Sequence, residues 1–306
     1  MSLIVAFNEA YQDPATVAIC SAALSFPRDF GVDLWLITDC RGDGAAEECR
    51  RILHSQGFGY EVFRFVPETD FLNRFQIAKR LTQFAAARLL VSEMNLRTQR
   101  AIYLDADTFT RRSLLPLARL NLEGMPAAAV PNLFSEKLNR ILLAHIDPRL
   151  HSDLAEPFNS GVLVIDQPLW QKEQISERAS TFLMEHPELC PLADQDALNV
   201  ALAGRWKRLR TRWNFQRYVS EASEWQRLTR VAVCHFAGET KPWDAARSRG
   251  PMASEYFAAA RSYGLRNFRP SFGAWLNAII EQQKPVIGYQ AQCFRKAVQN
   301  ALIRRG

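Results

Sequence analysis

The chain has 306 residues, 48% of them apolar, and a formal charge of +6 at neutral pH. That length suits one large α/β domain or two small ones around a real core. No apolar run is long enough to span a bilayer, and the six cysteines (Cys20, Cys40, Cys49, Cys190, Cys234 and Cys293) form no Cys-x-x-Cys pair. A membrane-spanning class and a structural zinc site are thereby disfavoured, and reduced core thiols in a cytosolic protein are expected.

In chain order, Leu3–Phe7 reads as a first strand rather than a signal peptide, because no basic segment precedes it and the apolar run stops at Asn8. A polar turn, Asn8–Pro14, leads into a helix to about Leu24. Asp33–Thr38 is a second strand, Ala45–Gln56 a helix and Tyr60–Val66 a third strand. From Gln76 to Glu93 apolar residues recur at helical spacing, with Arg80 and Arg88 two turns apart. Ala101–Leu104 is the next strand. Such strand–helix alternation predicts a largely parallel, doubly wound sheet whose ligands bind at the carboxyl ends of the strands. Beyond Asp107 the pattern is less regular. Asn132–Leu150 looks helical, Val162–Ile165 is a buried strand, and Gln174–Glu185 is an amphipathic helix. Arg205–Phe215 is a basic strand-and-turn region and Val231–His235 a short strand.

The segment Ala101-Ile102-Tyr103-Leu104-Asp105-Ala106-Asp107-Thr108 carries the most chemistry. In an extended chain, residues i and i+2 point the same way, so Asp105 and Asp107 can converge on one hard divalent cation. Alone, Asp-x-Asp followed by Thr also fits an ordinary strand-exit turn. Three further segments carry polar groups: Phe158-Asn159-Ser160-Gly161 before a buried strand, Ala193-Asp194-Gln195-Asp196-Ala197-Leu198-Asn199 at a helix start, and His235-Phe236-Ala237-Gly238-Glu239-Thr240-Lys241-Pro242-Trp243. Taken in order, the four resemble the motifs of the family 8 glycosyltransferases, the glycogenin and bacterial lipopolysaccharide galactosyl/glucosyltransferase group. The resemblance covers roughly residues 3 to 245.

What it implies is a GT-A-type, Rossmann-like nucleotide-sugar-binding domain over residues 1–245, and retaining transfer of a hexose from a UDP-sugar to a glycan, glycolipid or lipopolysaccharide hydroxyl. By the same resemblance Asp105, Asp107 and His235 would hold Mn2+ or Mg2+. Lys241 and the Gly238 backbone would grip the diphosphate, and Asn159, Gly161, Arg88 and Ala106 would line the sugar and diphosphate. Asp194 would bind sugar hydroxyls, with Gln195 nearest the anomeric carbon. Because an amide is a poor nucleophile, the resemblance favours same-face substitution over a double displacement. Asp196 reads as a helix-capping residue. The family's acidic turn after the first strand is replaced here by Asn8-Glu9-Ala10-Tyr11 and a longer Gln12-Asp13-Pro14 loop, with Tyr11 placed to stack on the base.

Two other readings stand beside this one. Leu104–Thr108 also fits the nucleophile loop of haloacid-dehalogenase-like phosphatases, although that loop normally opens its fold and here several βα units precede it. A catalytically silent nucleotide-sugar fold acting as an interaction module is the other. From Thr240 to Gly306 eleven Lys/Arg face three acids. Residues 246–306 read as a basic helical extension whose last part, Lys284–Gly306, either docks on an anionic membrane surface or packs on the domain. No nucleic-acid-binding motif accompanies that charge.

Overall fold

The apolar hexapeptide Ser2–Phe7 forms β1 and is buried along its whole length, as a strand covered on both faces of a parallel sheet must be. In the computed structural model, residues 1–40, 42–68, 83–132, 157–216, 230–237, 241–243 and 251–265 are described. They fall into two units, Met1–Phe236 and Ala237–Gly306.

In the first unit β1 pairs in parallel with β2 (Asp33–Thr38) and with β4 (Arg100–Asp105), and β2 pairs in parallel with β3 (Glu61–Phe65). β7 (Phe158–Asp166) then runs antiparallel to both β4 and β6 (Ala127–Pro131), and β8 (Trp206–Arg208) lies parallel to β6. The resulting order is β3-β2-β1-β4-β7-β6-β8. The single reversal matters for the site. Leu104 lies opposite Val162 and Arg100 opposite Asp166, so the start of β7 meets the end of β4. A second sheet joins β5 (Thr108–Thr110), β10 (Val233–His235) and β9 (Phe215–Gln216) in the order β5-β10-β9.

Helix α1 (Gln12–Ala23) is built from small residues, and every position from Pro14 to Ala23 is buried. It begins at Gln12, so the loop expected at Gln12-Asp13-Pro14 is instead its first turn, where proline's missing N–H costs nothing. Only Glu9–Tyr11, a 3-10 turn closed by Tyr11 N–H to the Asn8 carbonyl at 2.9 Å, separates β1 from α1. Helix α2 (Gly44–Ser55) buries Ala45, Cys49 and Ile52, an apolar stripe at helical spacing.

The described part of the helix expected at 76–93 is Gln83–Ser92, and it is wound as a 3-10 helix. Apolar periodicity cannot distinguish three from 3.6 residues per turn over so short a run. Ala86, Ala87, Leu89, Leu90 and Val91 pack into the core beside Tyr103 and Trp170. Arg80 and most of Asn132–Leu150 lie outside the described residues.

Short elements complete the unit: α3 (Leu115–Ala118), α4 (Gln167–Lys172), α5 (Ile175–Glu185) and α6 (Asp194–Ala201). The side chain of Asp166 caps α4 by accepting from Leu169 N–H at 3.2 Å. In the second unit α7 (Pro251–Ser262) buries Met252, Ala253, Tyr256 and Ala260 on one face, and the Tyr256 ring lies 5.8 Å from that of Trp243. Residues 266–306, including the basic stretch from Lys284, lie outside the described residues. Among the described residues no helix is long and apolar enough to cross a membrane.

Candidate active site

β4 ends at Asp105, and the chain turns back at once into β5. Thr108 locks that turn by donating its hydroxyl to the Asp105 carbonyl at 2.8 Å. β10 pairs with β5 so that His235 lies opposite Thr108, and Phe236 N–H donates to the Asp107 carbonyl at 2.9 Å. The two aspartates and the histidine therefore meet through backbone pairing between segments far apart in sequence. Nε2 of His235 lies 3.2 Å from Asp107 Oδ1 and 3.7 Å from Asp105 Oδ2. One candidate ligand atom from each of the three residues falls within 4.8 Å of the others.

Several observations fit this cluster to a divalent cation. Nδ1 of His235 is 2.9 Å from Asn214 Oδ1. An amide oxygen can only accept, so Nδ1 carries the proton and Nε2 presents its lone pair to the carboxylates. Two hard oxygens and one imidazole nitrogen suit Mn2+ or Mg2+. The cluster also leaves no room for a larger residue. A Cβ on Gly161 would sit 2.2 Å from His235 Cε1 and 2.7 Å from Asp105 Oδ2, so glycine is the only residue that lets the β7 backbone pass this close.

Arg88 occupies the centre of the remaining polar network. Its Nη2 pairs with Asp105 Oδ1 at 2.9 Å, its Nε with Asp194 Oδ2 at 2.6 Å, and its Nη1 donates to Ser160 Oγ at 2.6 Å. The guanidinium lies 5.0 Å from the centroid of the buried Tyr103 ring. Burial alone would lower the Arg88 pKa, but Asp105 and Asp194 outweigh it and the group is held charged. Burial pushes the Asp194 carboxyl up to about 7, against the pull of Arg88. Two carboxylates thus flank one guanidinium, and with Asp107 beside His235 the carboxylates here outnumber the one fixed cation, which favours a bound metal ion.

A chain of amides joins this network to the histidine. Asn214 Nδ2 donates to Asn159 Oδ1 at 2.7 Å, which also accepts Gly161 N–H at 3.0 Å. Asn159 Nδ2 donates to Gln195 Oε1 at 3.0 Å, and Ser160 N–H donates to the same oxygen at 3.2 Å. The Gln195 amide oxygen is consequently engaged by two protein donors.

Of the residues expected from sequence, Arg88, Asp105, Asp107, Asn159, Gly161, Asp194, Gln195 and His235 converge here, and Ala106 is buried in the turn between the aspartates. Asn8 and Tyr11 lie just past the end of β1. Asn8 Oδ1 is buried without a hydrogen-bond partner among the described residues. Lys241 is half-buried in the second unit, and Gly238 is outside the described residues. Asp196 does not cap the helix as expected: α6 already starts at Asp194 with Ala193 in the N-cap position, and Asp196 sits inside the first turn, where its Oδ2 accepts Leu192 N–H at 2.7 Å. Sequence reasoning missed Ser160 and Asn214. Ser160 sits inside a motif already singled out, whereas nothing around Asn214 signals its role.

Comparison with known proteins gives a consistent picture. Residues 2–247 match the model of the family described as Glycosyl transferase family 8. The lipopolysaccharide 1,2-glucosyltransferase of Escherichia coli is 26% identical over 251 residues, which is 76% of this chain and 70% of that protein. The lipopolysaccharide 1,3-galactosyltransferase of Salmonella typhimurium is 28% identical over 236 residues, covering 74% and 67% respectively. Among solved structures, the galactosyltransferase LgtC in complex with donor and acceptor sugar analogs matches with a TM-score of 0.65 at 20% identity, over 91% of this chain and 100% of that one. An active-site mutant of LgtC gives 0.68 at 21% identity, over 86% and 96%. The structural likeness establishes the GT-A fold expected from sequence.

Proposed function

This chain belongs to glycosyl transferase family 8, and on that premise we propose that it transfers a hexose, galactose or glucose, from a UDP-sugar to a hydroxyl of a glycan, glycolipid or lipopolysaccharide, with retention and with a divalent metal ion. The observation that carries this reading is the Asp105–Asp107–His235 cluster with its histidine tautomer set by Asn214. The named activities of the lipopolysaccharide glucosyl- and galactosyltransferase relatives support the hexose and the acceptor class. Family membership leaves the phosphatase reading of Leu104–Thr108 without support.

Asp105, Asp107 and His235 would hold the metal, Mn2+ or Mg2+. When bound, the ion supplies Lewis-acid neutralisation of the diphosphate's charge as the sugar leaves. Arg88 keeps Asp105 and Asp194 in fixed positions, and Asp194 offers its carboxylate to hydroxyls of the donor sugar. In the reaction the bond from the anomeric carbon to the diphosphate oxygen breaks and a bond to the acceptor oxygen forms. The acceptor's proton passes to the departing diphosphate. Gln195 holds the sugar from the opposite side. Its oxygen already accepts from Asn159 and Ser160, so it presents an N–H donor rather than a nucleophile. That supports same-face substitution.

Calorimetry tests the reading directly. UDP affinity should rise at least tenfold when Mn2+ replaces chelator, and Asp107→Asn should abolish the rise. NMR of the product formed from an α-linked donor should show an α-linkage. Equal UDP binding in chelator and Mn2+ would sink the metal dependence, and a β-linked product would sink retention.

A further inference from the structure

On the first unit, away from the metal cluster, lies a cavity of about 670 Å³ lined by Arg112, Arg210, Thr211, Arg212 and Arg230. We propose that this cavity binds a phosphate-bearing group, at a site separate from the one that holds the nucleotide-sugar.

The cavity is built by the backbone and does not depend on four mobile side chains meeting by chance. Ala232 joins three of the segments that supply it. Its carbonyl accepts Arg111 N–H at 2.7 Å and Arg112 N–H at 3.3 Å, and its N–H donates to the Arg212 carbonyl at 2.8 Å. The arginine-bearing ends of β5, of the Thr211–Trp213 turn and of the strand leading into β10 are therefore tied together. Arg212 is further held by its guanidinium, 4.4 Å from the centroid of the buried Trp213 ring.

Among the described residues the cavity lining carries no acid. The side chains of Arg210 and Arg230 have no hydrogen-bond, ion-pair or ring partner among the described residues. No acidic residue occurs between Thr108 and Leu122 or between Arg205 and Gln216. By contrast Arg205, before β8, is paired with Glu173. The Arg210 and Arg230 guanidinium groups repel one another, and an anion seated between them relieves that repulsion. Arginine's planar fork matches phosphate oxygens bidentately, which favours phosphate over a single carboxylate.

Position separates this site from the metal cluster. Asp107 and His235 lie at one end of the small sheet, and Arg112 and Ala232 lie beyond its other end. With roughly 3.3 Å of rise per residue, the two are on the order of 15 Å apart. The ligand is a soluble phosphorylated compound or the headgroup of an anionic lipid, and the two sources share the chemistry argued here.

The test uses the full chain with inorganic pyrophosphate as the soluble probe, in chelator, so that the metal-dependent nucleotide site is silent. Calorimetry should show pyrophosphate binding that weakens at least tenfold in Arg210→Ala/Arg230→Ala and only in part in Arg210→Lys/Arg230→Lys, which keeps charge but loses the fork. Both arginines are exposed, so an unchanged Tm serves as the folding control. Co-sedimentation with phosphatidylglycerol/phosphatidylcholine vesicles, against phosphatidylcholine alone, assigns the source. Pelleting that falls in the double alanine variant and is competed by pyrophosphate means a lipid headgroup. Pelleting indifferent to the variant, with pyrophosphate binding lost, means a soluble phosphorylated ligand. If neither pyrophosphate binding nor pelleting responds to the double alanine variant, the proposal is wrong. The transferase reading is untouched by either result, because its metal and UDP measurements use different residues.

Discussion

At Gly161 one added methyl group would collide with the candidate metal cluster. That Cβ would overlap His235, and the histidine cannot give way, because Asn214 holds Nδ1 and Asp107 faces Nε2. Gly161→Ala should therefore cost about 1–3 kcal/mol of stability, as overpacking typically does, and should also remove the thermal shift caused by Mn2+. A variant that keeps the full Mn2+ shift in scanning fluorimetry would show that the cluster has more slack than these distances allow. Asn214→Leu tests the tautomer argument in a different way. Losing a partner of this kind usually weakens metal binding about 10- to 100-fold. The expected result is that higher Mn2+ concentration restores turnover, and a loss that no Mn2+ concentration rescues would mean Asn214 acts elsewhere. Asp105, Asp107 and His235 were legible because their spacing and motif context are local. Asn214 was not, since its role exists only once β9 and β10 have paired.

At the scale of elements, α6 begins under constraint. Its preceding residue, Ala193, holds φ 51° and ψ −118°, a left-handed conformation that costs an alanine energy and is tolerated where surroundings impose it. Asp196 is part of what imposes it, through the bond from Leu192 N–H. Burial, opposed by that hydrogen bond, raises the Asp196 carboxyl from its ordinary 3.8 to about 6. The folded chain then keeps a proton that the unfolded chain has already lost, so stability from this group falls as pH rises from about 4 to 6. Asp196→Asn stays neutral and retains an acceptor for Leu192. It should match the wild type near pH 4 and exceed it above pH 7, by up to about 3 kcal/mol if the whole shift is expressed. Urea denaturation at the two pH values measures this, and an identical pH slope in both proteins would refute it. Long apolar runs such as β1 and β2 were readable from sequence because their burial is uniform. β5 spans three residues and β6 is largely alanine. Neither length nor composition announces them. The winding of Gln83–Ser92 was missed for the related reason that its apolar spacing serves either helix.

For the molecule as a whole, the proposed metal ligands come from both sheets: Asp105 ends β4 of the large one, and His235 ends β10 of the small one. A bound ion would stitch the two together. Ligand binding at a hundredfold excess over Kd stabilises a fold by about 2.7 kcal/mol, but here the gain should be unevenly distributed. Amide exchange in β5, β9 and β10 should slow on adding Mn2+ and UDP, while β2 and β3, remote from the cluster, should change little. Uniform protection across all strands would contradict the arrangement.

That same division has a consequence in time. Asp105 and Asp107 leave the ribosome early, with β1, β2 and β4 already made, whereas His235 follows Asp107 by about 130 residues, or on the order of 10 s of synthesis. Until β10 arrives, β5 has no strand to pair with and the aspartates lack their imidazole. A nascent chain can assemble most of its large sheet and still be unable to select its metal. The site's competence would then arrive with β10, well after the large sheet has been made.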